Sequence, residues 1–166
     1  IIMIHFRSFW HMWIIIMMIP LAWLGSAWGH GIEGFPVSML SAWGMVALSG
    51  VIINDAVVFL SKYNSLLIEG YKVKAAAYHA GIARFRAIVL TTITTTLGLY
   101  PIILESSFQA QFLIPMAISL AYGVAFGTSF ILILFPAIIV MLNDVKRVFL
   151  KLWHKREFTP EEVETV

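Results

Sequence analysis

Long apolar stretches, separated by a few short polar breaks, set the pattern of this chain. A helix needs ~20 apolar residues to cross the hydrocarbon core of a bilayer, with a range of ~17–25. Four stretches meet that length and predict spanning helices over 12–28, 37–60, 87–104 and 112–142. Gly29, His30, Gly31, Glu33, Gly34 and Pro36 mark a turn-rich loop after the first span. Pro36 stands near the start of the second, where its missing N–H costs nothing. Residues 1–11 read as the end of a preceding span (Ile1–Ile4) followed by a loop. Residues 61–86 are polar, and within them the Ala-rich 71–83 predicts a short interfacial helix. Residues 143–166 form a tail whose acidic end, 157–166, predicts disorder. The fourth span, ~31 residues or ~46 Å, exceeds the bilayer core, so it must tilt, protrude or kink, with Pro136 as the natural place. The fold class is all-α: a polytopic membrane helix bundle.

Alternating spans place the loops 5–11, 61–86 and 143–166 on one side. These hold all eleven Lys and Arg of the chain. The opposite loops carry only Glu33 and Glu105 as charged residues. The positive-inside rule then makes the basic side, and the C-terminus, cytoplasmic. One span more or fewer would split the basic residues between the two sides.

Composition fits this reading. Sixty per cent of the residues are apolar and 12% charged, against about a quarter charged in a soluble domain. The absence of cysteine excludes disulfides and thiolate metal sites within the chain. The net charge of +2 sits at span ends, so a nucleic-acid partner is not expected; lipid is. The five histidines show no ligand spacing, and no metal site is expected. No Gly-rich phosphate loop is present. Ser49-Gly50 is a partial serine-protease elbow, but no span holds a histidine partner. An enzyme is not expected. The chain starts inside an apolar run, without the charged segment or cleavage site of a signal peptide, and reads as a piece of a longer protein.

Three features carry chemistry. Asn54 and Asp55 interrupt the second apolar span. Measured from Lys62, Asp55 lies ~10 Å deep at 1.5 Å per residue. A carboxylate there costs on the order of 3 kcal/mol unless it faces protein or water. It is either a carboxyl that binds and releases a proton or a protonated or hydrogen-bonded acid that holds helices together. The third span opens with five Thr in six residues, Thr91 to Thr96. Thr91 and Thr95 share one face, Thr92 and Thr96 the neighbouring one. Each can simply bond its own preceding turn, but the density suggests a wetted or helix-facing stripe. Arg84 and Arg86 precede that span, and snorkelling at the membrane boundary suffices for Arg86. Gly25 with Gly29, and Gly123 with Gly127, have the small-xxx-small spacing that lets helices approach closely.

Four blocks in order resemble one family. GVIINDAVVF (50–59) resembles the tenth span of RND (resistance-nodulation-cell division) efflux permeases. AAAYHAGIARFRAIVLTTITTTLGLYPIILE (75–105) is similar to the block that follows it. ESSFQAQFLIPMAISLAYG (105–123) resembles the approach to the last span, and HFRSFWHMWIIIMMIPLAWLG (5–25) the loop and helix before. The likeness runs to about Lys146. It implies the last four of twelve spans in a trimeric permease of the bacterial inner membrane. It further implies a periplasmic adaptor and an outer-membrane channel as partners, beside the rest of the permease chain. No cofactor is implied; the proton motive force drives export. Carried over by position, the relay would use Asn54 as the span-ten partner, Thr91 as the span-eleven Thr, and Arg84 as the basic residue before it. Asn54 stands where well-studied multidrug pumps have Lys, so no Lys–Asp pair forms at this position. Asp55 adds an acid where Asn is frequent. Asp55 and Asn54 would then share a proton network with Thr91 and the acids of span four. The resemblance leaves two other outcomes: a non-transporting module of sterol-sensing or translocation-accessory type, or a fragment inactive by itself.

Overall fold

The computed structural model describes residues 9–154. Helix α1 spans Phe9–Glu33, α2 Met39–Ile68, α3 Val73–Ile103 and α4 Ile114–His154, with a 3-10 turn at Ala110–Phe112 before α4. Among the described residues there is no strand. Each helix holds a stretch long and apolar enough to cross a membrane: Met12–Glu33, Met39–Ile68, Val73–Ile103 and Ile114–Val145. The chain is an all-α membrane bundle. The expected preceding span at Ile1–Ile4 and the tail at 157–166 lie outside the described residues.

The helices outrun the apolar stretches that predict them. Residues 29–33, expected in a loop, form the last turn of α1. Glycine disfavours helix by about 1 kcal/mol against alanine, but Gly29 lies against the Tyr122 ring and His30 is tied to α4. The helix stops at Gly34, whose φ of 73° suits a residue without Cβ. Ser38 then caps α2 through a capping box with Ser41, so Pro36 lies before that helix and not in its first turn. At the other end of the bundle only residues 69–72 are non-helical between α2 and α3, turning at Gly70 with φ 90°. Segment 71–83 is therefore helical from Val73, but as the first turns of α3 and not as a separate short helix. Alanine favours helix, and Val73, Ala76, Ala77 and Ala80 are buried in the bundle. Pro136 falls inside α4, which at 41 residues is ~62 Å long and exceeds the bilayer core.

Helix α4 is the central element and packs on the other three. Its register against α2 is parallel and constant: Gly44 meets Ser119, Leu48 meets Gly123, and Ile52 meets Gly127. Both rows advance by four residues, which is ridge-into-groove packing with large side chains set against small ones. Helix α1 runs antiparallel to α4, with Gly25 against Phe126 and Gly29 against Tyr122. Gly127 also faces Ala22, so three helices converge there. All four glycines of the small-xxx-small pairs thus sit where a neighbouring helix comes close. The main apolar core, including Ile15, Met18, Leu48, Ile52, Phe59 and Phe135, surrounds these contacts. Phe59 and Phe135 meet edge to face, with ring centroids 5.1 Å apart.

Candidate functional site

The α2–α4 register turns a second face of α2 away from α4 and toward α3. There a half-open groove of about 390 Å³ is lined by Gly50, Asn54 and Asp55 of α2, Thr91, Thr92 and Thr95 of α3, and Val124 of α4, among others. Asp55 is half-buried and Asn54 exposed. Among the described residues, no hydrogen bond or ion pair engages the Asp55 carboxyl. Of the two sequence readings of this acid, an acid that pins helices together by hydrogen bonds has no partner within this part of the chain.

The threonines divide their work. The Thr91 hydroxyl donates to Ala87 O of its own helix, with Ile88 O at 3.2 Å. Thr94 does the same toward Leu90 O at 2.9 Å. These are the ordinary back-bonds of Thr in a helix. They commit the hydrogen and leave the Thr91 oxygen free to accept a bond from the groove. The Thr92 and Thr96 face looks instead at α4: Thr92 Oγ1 lies 2.8 Å from Thr128 Oγ1, and Thr96 Oγ1 lies 3.5 Å from Ala121 O.

The structure brings Asn54, Asp55 and Thr91 together. It does not bring Arg84 into the same lining. Arg84 stands two helical turns before Thr91, ~10 Å away along the axis, with its Nε buried and unpartnered.

A second polar cluster, at the end where α1 turns into α2, went unread in the sequence. His30 is only 3% exposed. Its Nδ1 lies 3.1 Å from Phe35 O and its Nε2 3.0 Å from Ser119 Oγ. A carbonyl only accepts, so Nδ1 carries a hydrogen; in the neutral ring Nε2 then accepts from the Ser119 hydroxyl. One turn on, the Tyr122 hydroxyl donates to the Glu33 carboxylate. Two bridges therefore join α1 to α4. Ser119→Ala should leave the His30 Nε2 buried without its partner. A loss of about 1–3 kcal/mol is expected, seen as a lower thermal midpoint of the intact protein in detergent. An unchanged midpoint would mean the bridge adds nothing.

Among the described residues, no group of three or more His, Cys, Asp or Glu could hold a metal ion. The groove offers one carboxyl, one amide and three hydroxyls.

The sequence profile of the AcrB/AcrD/AcrF family matches residues 1–143. The cobalt-zinc-cadmium resistance protein CzcA of Cupriavidus metallidurans is 29% identical over 120 residues, covering 72% of this chain and 11% of that protein. The multidrug resistance protein MdtC of Erwinia amylovora is 24% identical over 143 residues, 86% of this chain and 14% of that protein. The nickel and cobalt resistance protein CnrA of Cupriavidus metallidurans is 27% identical over 124 residues, 75% of this chain and 12% of that protein. The chain thus spans between 11% and 14% of the length of these relatives.

Proposed function

This chain belongs to the AcrB/AcrD/AcrF family of RND permeases, and from that premise we propose that it forms the last four spans of a proton-driven efflux transporter. The transporter would sit in the bacterial inner membrane and export drugs or other small molecules. The observation that carries the reading is the groove that sets Asp55 and Asn54 of α2 opposite Thr91 of α3. An ionisable group within a spanning helix marks a proton or ion path by default. In this reading Asp55 takes a proton from one side of the membrane and gives it up to the other, and Asn54 and Thr91 supply a donor and an acceptor to its two states.

The basic residues of the described chain fit a cytoplasmic face at the α2–α3 turn and the end of α4, with the C-terminus inside. The remainder of the permease would close the groove and complete the relay. A trimer, a periplasmic adaptor and an outer-membrane channel belong to the same proposal. The names of CzcA and CnrA favour a second reading of the cargo, divalent metal cations.

The test uses the intact permease in liposomes with an imposed pH gradient. Two probes are followed separately, ethidium for an organic cation and Co²⁺ for a metal. Uptake of one probe that rises with the gradient and stops on adding a protonophore is expected. Uptake of both probes that ignores the gradient would sink proton coupling. Absence of any flux would favour the non-transporting module.

A further inference from the structure

We propose that Thr128, on the buried face of α4, is a positioning residue for the proton site: through Thr92 it holds the threonine face of α3 against the groove. The inference rests on the antiport reading above. It starts from how weakly α3 is held where the groove lies. The buried residues of α3 are Val73, Ala76, Ala77, Ala80, Ile88 and Ile103. Between Ile88 and Ile103 none is buried, and that stretch carries Thr91, Thr92 and Thr95. Among the described residues, apolar packing of that stretch is limited to partly buried side chains such as Leu99, beyond the threonines, and does little to fix the rotation of α3 at the groove.

Side-chain bonds to α4 supply what packing lacks. Thr96 reaches Ala121 O only at 3.5 Å, the limit of a hydrogen bond. Thr92 and Thr128 meet at 2.8 Å. Thr128 is 3% exposed, and its hydroxyl donates to Val124 O at 2.7 Å. Each hydroxyl has a single hydrogen. With that of Thr128 given to Val124 O, its oxygen accepts from Thr92, which must then release Ile88 O, also 2.8 Å away. The result is a directed chain from Thr92 to Thr128 to the carbonyl of Val124. Both ends of this chain, Thr92 and Val124, line the groove. A carbonyl accepts and cannot donate, so the chain has nowhere to pass a proton. Its role is to hold: a hydroxyl pair in an apolar bundle ties two helices at one rotation.

Release of the tie should let α3 turn, move Thr91 and Thr92 off the groove, and change the polar surroundings of Asp55. The other groove-lining residues among those described carry no titratable group. The nearest charges along the flanking helices are Lys62 on α2 and Arg86, then Arg84, on α3, all outside the lining. From α4, Val124 lines the groove without charge.

The experiment reads the carboxyl directly and needs no transported ligand. Dicyclohexylcarbodiimide reacts with protonated carboxyls in apolar surroundings. The intact permease in membrane vesicles is treated across a pH series, and modification of Asp55 is quantified by mass spectrometry. Thr128→Val is expected to move the midpoint of labelling by about half a pH unit, the scale of one hydroxyl hydrogen bond gained or lost near a titrating group. Thr128→Ser keeps the hydroxyl and should restore the original profile. Ser129→Ala, which removes only a back-bond to Ala125 O on an exposed face, should leave it unmoved. If Thr128→Val does not fold, Thr92→Val breaks the same bond from the half-buried side and should give the same shift. An unmoved profile in a folded variant lacking the bond overturns the positioning role alone. Absence of pH-dependent labelling at Asp55 in the unsubstituted permease overturns the antiport reading, and the positioning role with it.

Discussion

Asp55→Asn in the intact permease is expected to lower proton-driven export by about a hundredfold or more, the usual scale for removing the group that transfers a proton. Amide and carboxyl have nearly the same shape, so the groove keeps its form. No bond within the described residues engages the Asp55 carboxyl, so the bundle loses no tie. Expression and thermal midpoint should therefore stay close to those of the parent, which separates a lost proton from a lost fold. Asp55→Glu keeps the acid but lengthens its reach by one methylene, and partial recovery is expected. Replacing Asn54 by Leu removes a donor beside the acid and should cost less, because the titrating group remains. The measurement is flux of the active probe against an imposed pH gradient, normalised to protein in the membrane. Full export by Asp55→Asn would place the proton path elsewhere in the permease.

How much of this was legible beforehand differs from element to element. The four helices were readable because membrane burial demands long apolar runs, and 12–28, 37–60, 87–104 and 112–142 each lie within or nearly within one observed helix. Helix ends were not readable in the same way. Gly29, His30 and Gly31 carry turn signals, yet contacts of Gly29 with Tyr122 and of His30 with Ser119 hold this turn in α1. The His30–Ser119 contact joins residues 89 apart in the chain, and local sequence cannot report it. The Asn54–Asp55 pair was legible because a carboxyl inside an apolar helix is costly wherever it stands. Its companions were legible by face: the sequence separates the Thr91/Thr95 stripe from the Thr92/Thr96 stripe, and the structure gives the first to the groove and bonds the second to α4, with Thr92 lining the groove as well. What α4 offers in return, Thr128, looks in sequence like any hydroxyl in an apolar span. Arg84 was legible only by resemblance, and it lies outside the groove lining.

Gly44→Leu is expected to be the most damaging single change to stability. A Cβ at this position would stand 2.8 Å from the backbone oxygen of Met116 and 2.9 Å from Ser119 Cβ. The first of these atoms belongs to the α4 backbone and cannot rotate away. Relief requires α2 to withdraw from α4, and the constant register then fails below it, at Leu48 on Gly123 and Ile52 on Gly127. Ser119 would also be displaced from His30. Overpacking alone costs about 1–3 kcal/mol, and the lost hydrogen bond adds about 1–3 kcal/mol more. The intact permease is expected to lose most of its folded yield in detergent, with Gly44→Ala falling between Leu and the parent. Gly98 is the informative control, since a Cβ there meets nothing within 4 Å in this chain. Gly98→Leu should be tolerated if α3 faces lipid at that point, whereas a large loss would mean that a helix from another part of the permease lies on it. Tolerance of Gly44→Leu itself would mean that α2 and α4 stand farther apart than this register requires.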